Sequence, residues 1–200
     1  MLNIKSLKSP HGFSANCYLI SSANECAVVD PTCPYDEALI NGKVRYILLT
    51  HAHFDHILDI DSWVNSTGAE VIVSKNEREA LSDPVRNCYK LFNGSDCGYF
   101  GDARSLSDGD TITLGKCEIK FIECPGHTIG SAAYLCDGNL FVGDTIFEDG
   151  GYGRFDLPTG SFTMLRDSIQ KLITLPDQTT VYPGHGGPTT IKQYKLDLKR

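Results

Sequence analysis

Thr50-His51-Ala52-His53-Phe54-Asp55-His56 decides the reading of this chain, because four potential metal ligands, His51, His53, Asp55 and His56, fall within six positions. Imidazoles two apart on an extended segment project to the same side. A tight turn through Asp55 and His56 aims that second pair at a neighbouring ion. Imidazole with carboxylate suits Zn²⁺ or Fe²⁺ better than Ca²⁺ or Mg²⁺. The plainer alternative is a solvated, turn-forming loop, and the ligand-type residues that arrive later in the chain weigh against it.

Those residues lie in three further segments. Pro125-Gly126-His127-Thr128 follows the strand-like run 119–123, Gly143-Asp144-Thr145 follows 140–142, and Tyr182-Pro183-Gly184-His185-Gly186-Gly187 follows 179–181. Each candidate ligand sits just past a short β-branched or aromatic run, in a turn rich in Gly or Pro. Strands would fix the loop ends while the glycines let the backbone curl round an ion. Of the six histidines only His11 stands outside these motifs.

His-x-His-x-Asp-His, then Gly126-His127, Gly143-Asp144 and Pro183-Gly184-His185, in this order, resemble the metallo-β-lactamase superfamily. The likeness runs from Asn16-Cys17-Tyr18-Leu19-Ile20 and Ala27-Val28-Val29-Asp30-Pro31 to Pro183-Gly184-His185-Gly186. It implies an α/β fold of the αββα sandwich type, two mixed β-sheets flanked by helices, with metals in a cleft at one sheet edge. Pattern alone supports only mixed α/β with short strands. The likeness further implies that His51, His53 and His127 hold a first metal, that Asp55, His56 and His185 hold a second, and that Asp144 bridges them. True β-lactamases of this fold commonly carry Cys where this chain has Asp144; an Asp there resembles the single-domain glyoxalase II-like hydrolases. Two divalent ions per chain are expected, Zn first, with Fe or Mn also accepted by such ligands.

That ligand set points to metal-assisted hydrolysis of a thioester or other ester. A bridging water of lowered pKa serves as the nucleophile, and Asp55 both holds a metal and accepts a hydrogen bond from that water. No Gly-x-Ser-x-Gly elbow is present to supply a serine nucleophile. Gly-Gly-Tyr-Gly-Arg-Phe-Asp-Leu-Pro at 150–158 resembles a loop of thioester-cleaving relatives, with Arg154 as a carboxylate clamp; a salt bridge to Asp156 is the competing role. Only 15 residues follow His185, so a smaller or different thioester is expected as readily as one of glutathione, and Leu58-Asp59 replaces the usual Gly-Gly after the first motif. Alternatives are a mono-iron persulfide dioxygenase, which shares a Gly-Arg-x-Asp loop, a lactonase or other ester hydrolase, a nuclease, and a non-catalytic metal-binding module. His56 and His185 favour the binuclear hydrolase over the dioxygenase.

Lys plus Arg number 18 against 25 Asp plus Glu, a net charge of −7. That excess argues against nucleic acid and anionic membrane as partners and leaves a small-molecule substrate. With 41% hydrophobic residues over 200 positions, one domain spanning 1–200 is expected, with an irregular insertion or flap at 83–104. The start lacks a signal-peptide apolar core, so a cytoplasmic protein is expected. Eight cysteines without a Cys-x-x-Cys pair then read as reduced, mostly buried thiols, Cys124 being the one close in sequence to a ligand. Periodicity predicts strands at 2–7, 17–21, 26–30, 44–49 and 70–73. It predicts helices at 35–42, 57–66, 75–81, 161–172 (capped by Ser161) and 190–198, and four short strands between 108 and 142.

Overall fold

The protein is described here from a computed structural model that covers residues 2–199. Its first sheet contains β1 (Asn3–Leu7), β2 (Cys17–Ser22), β3 (Glu25–Val29) and β4 (Lys43–Leu48). After α1 (Ile60–Thr67) it is completed by β5 (Glu70–Ser74) and, following the short α2 (Tyr89–Asn93), by β6 (Arg104–Leu106). The second sheet contains β7 (Thr111–Leu114), β8 (Cys117–Glu123), β9 (Ala132–Cys136) and β10 (Asn139–Gly143). After α3 (Phe162–Leu172) it gains β11 (Thr180–Pro183) and β12 (Thr189–Thr190), and α4 (Ile191–Asp197) follows. Strand order is β1-β2-β3-β4-β5-β6 in one sheet and β12-β11-β10-β9-β8-β7 in the other. Both sheets are mixed: β3, β4, β5 and β6 run parallel to one another, as do β10 and β11, and the remaining pairs are antiparallel. This is the αββα sandwich.

Apolar side chains form three layers, and strand alternation sorts them. Tyr18 and Ile20 of β2 join Ala27, Val29, Leu48, Phe121, Tyr134 and Phe141 between the sheets. Their sequence neighbours Cys17 and Leu19 turn outward to the layer that buries Trp63 of α1. On the far side Leu140, Val142 and Val181 meet Leu165, Ile169 and Leu172 of α3 and Tyr194 of α4. A bulge keeps β4 in phase, since the register with β3 passes from Cys26–Val44 to Ala27–Tyr46 and skips Arg45. Val44 therefore faces the outer layer while Tyr46 and Leu48 face the inner one.

The sequence-based strand and helix positions are recovered with short end shifts, apart from two of the helices. At 35–42 only a single 3-10 turn forms, Glu37–Leu39, with no fully buried residue in it; Tyr35, Leu39 and Ile40 are only partly buried against the outer layer, too little to offset the cost of nucleating a longer helix. At 75–81 the chain makes a 3-10 turn over Arg78–Leu81, because Glu77 is drawn inward. The helix expected from 57 begins at Ile60, after a 3-10 turn through Phe54–His56. Within 83–104 stand α2 and the first residue of β6, and β12 is a further strand that the pattern did not mark. Ser161 caps α3, its Oγ accepting from the Met164 N–H. Among the described residues no helix is long and apolar enough to cross a membrane.

Candidate metal centre

Four strands deliver the candidate ligands to one edge of the sandwich. β4 leads into His51, His53, Asp55 and His56, β8 into His127, β10 into Asp144 and β11 into His185. β10 and β11 are parallel neighbours, so Asp144 and His185 leave their sheet side by side. The two sheets are tied at this edge by Ala132 N–H to Thr50 O (2.9 Å), Tyr134 Oη–H to Leu49 O (2.9 Å) and Tyr18 Oη–H to Pro183 O (2.7 Å). Two glycines make the closeness possible. Gly143, at φ +53°, would push a β-carbon into Thr50, and a β-carbon on Gly184 would collide with the Asp144 carboxylate and the His56 ring.

The structure brings all seven expected ligands together. His51, His53 and His127 form one group that could hold an ion, Asp55, His56 and His185 another, and His51, His56 and Asp144 a third between them, the ligand atoms of each lying within 4.8 Å. Asp144 reaches toward both sides: Oδ1 is 3.4 Å from His56 Nε2, and Oδ2 is 3.7 Å from His127 Nε2 and 3.6 Å from His185 Nε2. His127 Nε2 lies 2.9 Å from His53 Nδ1, and His185 Nε2 lies 3.1 Å from Asp55 Oδ2. All are buried except His185, whose side chain is 33% exposed.

Outer hydrogen bonds fix which nitrogen each ring offers. Asp30 accepts from His56 Nδ1–H (2.8 Å) and from the Thr50 hydroxyl (2.7 Å). Having donated that proton, the Thr50 oxygen accepts from His51 Nδ1–H at 3.2 Å. His127 Nδ1–H donates to the Arg154 carbonyl at 2.7 Å. In neutral His51, His56 and His127 the proton thus sits on Nδ1 and Nε2 keeps its lone pair, the arrangement in which outer partners orient metal-ligating histidines. His51 Nε2, His53 Nε2, His56 Nε2 and Asp144 Oδ1 are buried without a hydrogen-bond partner. Such orphaned atoms cost about 1–3 kcal/mol each, and a bound cation is the partner their chemistry fits.

Protonation follows from burial and neighbours. Burial, reinforced by the surrounding imidazoles, lowers His51 and lowers His53 to about 3. Burial likewise lowers His127. Burial also opposes charge on His56, but the Asp30 and Asp144 carboxylates outweigh it and raise that group. For Asp144 burial is outweighed by His56, His127 and His185, and for Asp55 by its hydrogen bond from His185, so both carboxyls are lowered and stay ionised.

Two supporting residues escaped the sequence reading of the site. Asp30 belonged to a quoted motif but carried no role; its φ of +50° just past β3 turns the carboxylate toward His56. Glu77 gave no signal. It is buried, and its two oxygens accept from Ala52 N–H (3.1 Å) and Gly130 N–H (2.9 Å), clamping the His51–His53 segment to the His127 loop. Burial raises its carboxyl, against those hydrogen bonds.

A cleft of about 320 Å³ opens over the cluster, and Arg154 lines it. The guanidinium is bound on two nitrogens by Asp156, Nε to Oδ1 at 2.7 Å and Nη2 to Oδ2 at 2.8 Å. Its carbonyl, rather than its charge, is what touches the histidine cluster, at His127. Cys124 turns away into the layer under α3, where burial pushes its thiol up to about 12. All eight cysteines are free thiols.

Residues 11–185 match the metallo-beta-lactamase superfamily. A probable metallo-hydrolase of Bacillus subtilis, YqgX, is 35% identical over 88% of this chain and 87% of its own length; the chain spans less than half of some longer curated relatives. Among solved structures, the B3 metallo-beta-lactamase BLEG-1 superposes with a TM-score of 0.85 at 33% identity, over 96% of this chain and 95% of its own. TTHA1623, crystallised in a di-iron-bound form, superposes with a TM-score of 0.80 at 27% identity, over 94% and 96%. The matched span runs from the loop before β2 to the last candidate ligand, and the chain belongs to the metallo-beta-lactamase superfamily.

Proposed function

We propose that this chain is a metal-dependent hydrolase of a thioester, working with two divalent ions. The observation that carries the reading is the set of buried, partnerless Nε2 atoms on rings whose Nδ1 is already engaged. His51, His53 and His127 would hold one ion, Asp55, His56 and His185 the other, with Asp144 between them; Zn is the expected metal. When bound, such a pair supplies water of lowered pKa, near about 7, and Lewis acidity at the scissile carbonyl. Asp55, ionised and placed beside His185, accepts the hydrogen bond of the attacking water. Glu77 and Asp30 hold the ligand loops and rings in place, which spares the reaction that reorganisation. Residues 83–104 contribute α2 as one wall of the cleft, and Phe54 and Phe92 there exclude water from the reacting atoms.

The mono-iron dioxygenase alternative leaves His56 and His185 without a ligand role, yet both stand in a complete group with Asp55. A fold relative crystallised with two irons also supports a pair of ions. The test is thioester hydrolysis by protein stripped with a chelator and then reloaded with Zn²⁺, Fe²⁺ or Mn²⁺. Loss and recovery of cleavage is the expected result; full activity in the stripped protein would overturn the reading.

A further inference from the structure

We infer that the cleft selects a substrate whose acyl arm is apolar and uncharged, seated on an aromatic wall that begins at the metal cluster. The inference rests on the hydrolase reading and names its substrate class. Phe54 lies between His53 and Asp55 in sequence, and its ring meets Phe13 at 6.0 Å and Phe92 at 5.5 Å between centroids. Phe13 also stacks on the His185 ring at 5.9 Å, and Phe147 stands edge-on to it at 6.3 Å. An arm lying on this wall therefore touches the cluster itself. Phe13 is 63% and Phe92 49% exposed, which leaves apolar area for a bound group to cover.

Away from the metal cluster the lining offers a charged arm little to bind. Apart from the cluster's imidazoles, the one cation in the lining among the described residues is Arg154, and Asp156 already engages it on two nitrogens. The lining acids, Asp55 and Asp144, are themselves expected metal ligands, and apart from the cluster and Arg154 the lining side chains are uncharged. A carboxylate, whether on the acyl arm or on a thiol half such as glutathione, finds no unpaired cation in the lining among the described residues. The cleft volume of about 320 Å³ matches the small end of small-molecule sites, about 300–1,000 Å³.

The test compares kcat/KM of the Zn-loaded protein on thioesters of one small neutral thiol, from acetyl to octanoyl, with S-octanoylglutathione beside them. A rise of about fourfold per added methylene is expected over the first several carbons, with the glutathione thioester slower than its neutral counterpart. Phe92→Ser and Phe13→Ser should each lower kcat/KM for octanoyl by about tenfold more than for acetyl, whereas Phe100→Ser, outside the cleft, should leave the series unchanged. Calorimetry with a ketone isostere of the octanoyl substrate supplies a readout apart from turnover, with binding and a negative heat-capacity change expected. A flat series, or preference for the glutathione thioester, overturns the inference. Binding of the isostere without cleavage of any thioester overturns the hydrolase reading and leaves the apolar subsite standing; neither binding nor cleavage overturns both.

Discussion

β8 runs between two clusters of metal-type side chains, and only one of them has the chemistry of a site. Past its finish stands His127 with the other His and Asp side chains; at its start Cys117 stands with Cys136 and Asp137. The two ends of the strand are about 20 Å apart. Proximity is the same at both, ligand atoms lying within 4.8 Å. At the cysteine end the groups satisfy one another: the Cys117 thiol pairs with Ser22 Oγ at 3.2 Å and Asp137 Oδ2 at 3.3 Å, and the Leu2 N–H donates to the same carboxylate. Burial pushes the Cys136 thiol up to about 12, which disfavours the thiolate a metal needs. At the histidine end, the Nε2 lone pairs of His51 and His56 are fixed by outer hydrogen bonds at Nδ1 and left without hydrogen-bond partners. Unsatisfied, oriented donors mark a metal centre better than closeness does.

The largest expected effect is at the histidine end. His127→Ala should lower kcat for the hydrolysed ester by about a thousandfold or more and reduce metal content, as read by steady-state kinetics and elemental analysis. Near-normal turnover would break the contrast at once. Glu77→Ala comes next. It leaves the Ala52 and Gly130 N–H groups buried and unpaired at about 1–3 kcal/mol each. Denaturant unfolding should therefore show a loss of about 2–6 kcal/mol, with metal affinity weakened by about tenfold or more. A variant as stable as the parent would show that the clamp does not act.

Most of the fold, and the candidate ligands that converge in it, were legible in the sequence for identifiable reasons. β-branched runs such as 70–73 and the Ser161 cap are local signals, and they survive into the structure. The candidate ligands were legible because each sits in a short turn after a strand, a grammar written in consecutive residues. Asp30 and Glu77 act across the fold, 26 positions from His56 and 25 from Ala52, so no local pattern exposes them. The same long-range demand on Glu77 displaced the helix expected at 75–81. Arg154 shows the converse, since its loop was readable while its pairing with Asp156 depended on a side-chain geometry that the motif does not encode.

Acid should separate the two ends more gently. In the metal-free protein His51, His53 and His127 are all held below their usual range, His53 near 3. The folded state then binds fewer protons than the unfolded chain, whose histidines titrate near about 6.5. Stability is complete above that value and falls as pH drops below it toward the folded pKa values. His56, raised by its carboxylates, works in the opposite direction, one group against three. A thermal melt followed from pH 7 to pH 4 checks this, and a melting temperature that rises with acid would contradict it. The smallest effect is expected at the cysteine end, where Cys117→Ser should change unfolding free energy by about 1 kcal/mol and metal content not at all.

Metal content per chain, measured by elemental analysis on protein purified without chelators, tests the central claim most directly. Two ions per chain, retained in Cys117→Ser and lost in part in His127→Ala, is the predicted result. A metal-free protein, a single ion, or a count that falls with Cys117→Ser would contradict it.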